Sequence, residues 1–151
     1  MNTTNTVPAK DQSALITKEV SAVDFLTRFS GDNLIVLTSI IPDGPPTTRT
    51  FNLDEAEGMQ RFIKEKNQNE NIYFSVNPVN TRINKKASKR DIKELAWLHV
   101  DIDPDKGMDL EDSRKQILDK LNSSPLKPTV VIDSGNGYQA FFKLSAPISV
   151  N

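Results

Sequence analysis

Two aspartates one residue apart, Asp101 and Asp103, close an apolar run that reads WLHVDIDP (97–104). Aspartate is depleted in strands, so a pair ending a run with Leu98, Val100 and Ile102 needs a reason. Residues two apart on a strand share a face. Both carboxylates therefore leave one side of a sheet, roughly 7 Å apart along the backbone, with Trp97 and His99 beside them. Leu98, Val100 and Ile102 face the other way. Converging carboxylates repel unless a cation lies between them, and hard divalent ions with oxygen ligands suit that position. The chemistry this would serve is metal-assisted phosphoryl transfer. A plainer reading is that the acids mark the strand's exit into a turn, which Asp-Pro favours. A calcium loop through Asp101, Asp103, Asp105 and Asp112 fails, because Lys106 stands where such a loop needs glycine and its closing Glu is missing.

Further residues could join this pair. Arg82, Lys85, Lys86, Lys89, Arg90 and Lys93 place six cations in twelve residues, immediately before the aspartate strand. Such a run is either solvated surface or a patch for the phosphates of a triphosphate or a nucleic acid. Unless the loop folds away, it lies near the carboxylates. The turn Ser134-Gly135-Asn136-Gly137 precedes a strand on which Gln139, Phe141 and Lys143 share one face and Tyr138, Ala140, Phe142 and Leu144 the other. The glycines supply a hairpin turn's positive φ. An exposed Phe141 between an amide and a lysine would fit a base or sugar platform, or an ordinary amphipathic strand. His99 could donate to a phosphate or bind metal, or be a solvated histidine, and Trp97 is read as a packing residue at the sheet margin.

The elements that must hold these residues alternate along the chain. A polar lead-in, read as disordered, covers 1–18. A helix capped by Ser21 runs to Phe29, with Val23 and Leu26 on one face. Strands follow over 34–41 and 47–53, joined by the turn Pro-Asp-Gly-Pro-Pro (42–46). A helix over 54–67 carries Ala56, Met59, Phe62 and Ile63 as its stripe. A strand over 71–77 stops at Pro78, the basic loop fills 78–93, and the aspartate strand spans 95–103. Asp109 caps a helix to Asn122, and strands over 129–133 and 138–144 flank the glycine turn. The order predicts an α/β (α+β) sandwich with a mixed sheet.

Composition limits the options. At 151 residues the chain is one ordinary domain, and its net charge of −1 leaves clustering of the cations, not their excess, as the guide to acidic partners. It has no cysteine, which removes disulfides, zinc-thiolate sites and cysteine nucleophiles. No apolar run reaches 18 residues and the N-terminus lacks a signal peptide's apolar stretch, so no membrane partner is expected and the cytoplasm is the expected compartment.

The ordered set NIYFSVNP, basic loop, ASKRDIKELAWLHVDIDP, amphipathic helix and DSGNGYQAFFKL resembles the archaeo-eukaryotic primase (prim-pol) superfamily, particularly its phage and plasmid RepB-like members. The likeness covers residues 70–146, within a primase-type region over 19–151. It implies an RRM-like core, preceded by a small αββα unit, with helices packed on one face of its sheet. It also implies template-directed nucleotidyl transfer in the replication of a mobile element. Asp101 and Asp103 would hold two Mg²⁺ or Mn²⁺ ions. DNA template and nucleoside triphosphates would be bound by the loop cations, His99, Ser134, Gly135, Gly137, Gln139 and Lys143. A helicase would be fused or associated. Many members carry histidine where this chain has Gln139, whereas the RepB-like branch has glutamine. A third acidic residue in the family's pattern lies on a later strand, so the chain resembles the front part of a longer protein and is expected to be a weak catalyst alone. A non-catalytic RRM-like nucleic-acid-binding module is the alternative, and a metal-dependent nuclease a third.

Overall fold

The computed structural model describes residues 21–42 and 44–150; the expected disordered lead-in over 1–18 lies outside the described residues. Helix α1 (Ala22–Ser30) starts where Ser21 Oγ accepts from the Asp24 N–H at 3.1 Å, and stops at Gly31, whose φ of 56° few other residues adopt. Strand β1 (Ile35–Ile40) is buried on both faces because it is central: β2 (Thr47–Phe51) and β3 (Asn71–Phe74) flank it, both antiparallel. Between them a 3₁₀ turn (Leu53–Glu55) leads into α2 (Ala56–Lys66). Leu26, Ile35, Leu37, Phe51, Met59 and Phe62 close this first core. Its other face carries a polar pair, Thr38 and Thr48, whose hydroxyls lie 2.9 Å apart.

The second sheet contains β4 (Glu94–Ile102), β5 (Val130–Asp133) and β6 (Tyr138–Ser149) in the order β4-β6-β5. Helix α3 (Leu110–Ser123), capped by Asp109, connects β4 to β5. The chain thus makes a split β-α-β unit in which β6 hairpins back from β5 and inserts beside β4. Asn77 braces the outer edge of β4: its Oδ1 accepts from Ala96 N at 2.8 Å and Trp97 N at 2.9 Å, and its Nδ2 donates to Trp97 O at 3.1 Å. These bonds fall where β4 and β6 slip register between Leu95 and Trp97.

The α+β class stands, with two corrections of detail. Every strand pairing among the described residues is antiparallel, in two three-stranded sheets, not one mixed sheet. The physical reason is β6, which separates the co-directional β4 and β5 and pairs with both. Helices also pack on both faces of the second sheet. Phe29 of α1 stacks on Trp97 at 4.1 Å between ring centroids, on the face that Phe141 shares, while Arg114 of α3 covers Tyr138 on the opposite face. Phe141 is consequently 1% exposed instead of a surface platform, and Trp97 is core, whereas Leu98 and Val100 are about half exposed. Alternation along β4 identified the two faces correctly; it could not reveal that aromatic residues of α1 and β3 cover the one that carries the polar residues. Phe25, Phe29 and Phe74 meet Trp97 and Phe141 there and join the two sheets.

Candidate functional site

Strand β4 brings His99 and Asp101 to the same face and ends at Ile102, so Asp103 is the first residue beyond it. Across the ladder His99 lies opposite Phe141, and Asp101 opposite Gln139. The glycine turn packs directly on this strand end. Gly137 is buried, and a Cβ there would collide with the carbonyl oxygen of Ile102, the residue between the two aspartates. Only glycine permits that approach. Gly135, at φ 92°, supplies the left-handed turn residue. The two glycines therefore have different duties, where a hairpin alone predicted the same one for both.

Arg114 fixes the turn from below. Its Nη2 reaches Asp133 Oδ2 at 2.6 Å, its Nη1 donates to Gly135 O at 2.7 Å, and its guanidinium lies 4.9 Å from the Tyr138 ring centroid. The Arg114 guanidinium, and then the Gly135 N–H, hold the Asp133 carboxyl below the usual carboxylate range. The turn's own bonds, Ser134 N to Gly137 O at 3.0 Å and Gly137 N to Ser134 Oγ at 3.1 Å, complete it. On the other side of the strand end, Asp105 N donates to Ser113 Oγ of α3 at 2.8 Å. The backbone carrying Asp101 and Asp103 is thus held from both sides, by the turn and by α3.

In front of the face with His99 and Gln139 opens a cleft of about 630 Å³ between β3 and the second sheet. Ser134, Asn136, Gln139, His99, Tyr73, Asn71 and Asn67 line it, over a floor that includes Phe74, Ile132 and Phe141. Three of the residues singled out by sequence, His99, Ser134 and Gln139, meet here beside Asp101. Asp103 lines a separate cavity of about 390 Å³ against α3, with Asp105, Ser113 and Lys120. Lys143 lies opposite Trp97, with its ammonium 5.7 Å from that ring's centroid, displaced from Asp101 along the strand.

The basic loop folds away from this site. Arg82 forms an ion pair with Glu55 and donates to Thr50 O at 2.8 Å; Ile83 exchanges bonds with the Thr50 hydroxyl. Lys85 pairs with Asp91 at 2.6 Å, and that contact, with bonds from Ser88, holds the Asp91 carboxyl far below its ordinary range. These contacts dock the loop on β2, at the start of β4, whereas Asp101 is near its end. Lys86, Lys89 and Arg90 are exposed, without an ion pair among the described residues.

Asp101 and Asp103 are exposed, and their carboxylates make no hydrogen bond or ion pair with another described residue. Mg²⁺ commonly keeps several waters and takes one or two carboxylates plus substrate phosphates. Asp101 and Asp103 supply oxygen donors of the kind such an ion takes, but in different surroundings: Asp101 opposite Gln139 beside the cleft, Asp103 in the cavity against α3. No group of three or more His, Asp or Glu side chains among the described residues is arranged to hold a metal, so a second ion would need another ligand.

Sequence reading missed Arg114, Tyr73 and the three asparagines of the cleft. Arg114 did carry a signal: it stands three residues before buried Ile117, a cation on the inward side of α3. Nothing in the local pattern marks Asn67 or Asn71, which reach the cleft only through the packing of the first sheet on the second. No helix among the described residues is long and apolar enough to cross a membrane. Comparison with protein-family models, curated proteins and solved structures finds no match for the chain.

Proposed function

We propose that this chain carries the metal-holding part of a primase-polymerase-type nucleotidyltransferase, acting on nucleoside triphosphates and a DNA template in the replication of a phage, plasmid or other mobile element. The observation that carries the reading is the meeting of two distant motifs at one strand end: Asp101 opposite Gln139, with Gly137 against the peptide between the aspartates. The split β-α-β order β4-β6-β5 supports an RRM-like core. A divalent ion held by Asp101 and Asp103 would supply Lewis-acid stabilisation of the charge that develops during phosphoryl transfer. The chain's own residues do the rest. Asp101 and Asp103 hold the ion, His99 and Gln139 offer hydrogen bonds beside it, and Gly137 and Arg114 fix the backbone on which these groups sit.

A nucleic-acid-binding module without chemistry is the second reading, and the grouping of only two carboxylates favours it. Calorimetry of Mn²⁺ in the presence of a deoxynucleoside triphosphate separates the two. The wild-type chain should bind the ion, and Asp101→Asn/Asp103→Asn should lose it with an unchanged unfolding midpoint, because neither carboxylate has a partner to lose. Equal Mn²⁺ affinity in wild type and double variant refutes the metal-holding role.

A further inference from the structure

We infer that the cleft between β3 and the second sheet takes the base and sugar of a nucleotide, with Tyr73 stacking on the base and the amides of Asn71, Asn136 and Gln139 bonding to its edges. The inference rests on the nucleotide reading above and names which part of the molecule goes where. At about 630 Å³ the cleft falls within the range of small-molecule sites, and its lining contains no Lys, Arg, Asp or Glu. A site for phosphates would need cations, and a metal site needs several carboxylates or imidazoles where this lining has one imidazole, His99. A nucleobase edge presents donors and acceptors side by side, and each amide offers both. The amides of Asn71, Asn136 and Gln139 make no side-chain hydrogen bond with another described residue, so their bonding capacity is unspent.

Tyr73 supplies the second element. It is 52% exposed although it lies beside an apolar floor. An aromatic ring left open at the wall of a polar cleft offers a stacking surface that tolerates any base. Gln139 lies opposite Asp101 in the ladder, so a base lodged among these amides would have its phosphates leave toward the carboxylates.

Ligand-observed NMR and equilibrium dialysis with thymidine and deoxyadenosine, on the full chain without metal, test this. Both nucleosides should bind saturably, and inorganic tripolyphosphate should not displace them. Tyr73→Ala should weaken binding at least about fivefold, the lower end of what stacking one base contributes, and Tyr73→Phe should retain it. Asn136→Ala should weaken binding too. Absence of saturable nucleoside binding, or equal affinity in wild type and Tyr73→Ala, overturns the inference. Failure of Mn²⁺ binding would overturn the catalytic reading alone, because nucleoside binding is measured without metal.

Discussion

Replacing Phe141 by alanine asks whether that ring belongs to the core or to a ligand. Its side chain is 1% exposed and contacts three other rings: Phe29 edge-on at 5.4 Å, Phe74 at 5.9 Å and His99 stacked at 5.9 Å. Truncating a buried phenylalanine costs about 3–5 kcal/mol, from lost transfer energy and the cavity left behind. Aromatic pairs add roughly 0.5–1.5 kcal/mol each beyond area, which favours the upper half of that range. For a chain of this length, 4 kcal/mol corresponds to a fall in Tm of roughly 8–16 °C. Urea unfolding followed by the fluorescence of Trp97, which sits in the same aromatic cluster, reads the change directly. Phe141→Leu should cost much less, about 1–1.5 kcal/mol, because most of the volume is kept. If Phe141→Ala lowered stability by less than about 1 kcal/mol, the ring would be a surface platform and the joining of the two sheets through it would be wrong.

Gly137→Ala places a methyl group against the Ile102 carbonyl and should cost about 1–3 kcal/mol. It should also weaken Mn²⁺ binding in calorimetry, because the strand end carrying Asp101 must shift; a variant with wild-type stability and Mn²⁺ affinity would dismiss the contact. Lys86→Ala/Lys89→Ala should flatten the slope of log affinity for single-stranded DNA against log salt by roughly 1.4 units, at about 0.7 per phosphate contact, and an unchanged slope would make the loop solvated surface. For Asp133, whose carboxyl is depressed in the folded chain, the stabilising contribution is complete above the unfolded-state value of about 3.9. It is lost as pH falls through the lower folded value. Arg114→Ala should remove that share of the acid dependence, and identical acid profiles in denaturant titrations of the two proteins would show that the pair does not hold the turn.

How much of this was legible beforehand differs by level. The number, order and type of the main elements follow from caps, periodicity and turns: Ser21, Asp109, the apolar stripe of α2 and the Ser-Gly-Asn-Gly turn each announce their element. Strand ends were less legible. The strand expected to reach 77 stops at Phe74, and Asn77 spends its side chain on the edge of β4. The last strand runs to Ser149, past Pro147, because its register slips there. Within the site, the same-face placement of His99 and Asp101 follows from period two alone. Which face is buried does not, since that depends on Phe29 and Phe74, which are distant in sequence. The destination of the loop cations was equally hidden: Arg82 and Lys85 find Glu55 and Asp91 only once the loop is folded.

That fold-back decides which phosphates the loop could serve. From Glu94 to Asp101 the strand advances seven residues, about 23 Å at 3.3 Å per residue, and Lys86, Lys89 and Arg90 precede even that start. A triphosphate anchored at Asp101 could not span the gap. A single strand of DNA, advancing about 3.4 Å per nucleotide, covers it in roughly seven. In the proposed enzyme the exposed cations would therefore meet a template backbone, and the incoming nucleotide would rely on the ion at Asp101 and Asp103 and on the uncharged cleft beside it. Lys143, opposite Trp97, lies between the two regions along the sheet, where a strand passing from loop to carboxylates would cross. Salt dependence should accordingly divide: steep for template and sensitive to Lys86 and Lys89, shallow for a nucleoside and indifferent to both.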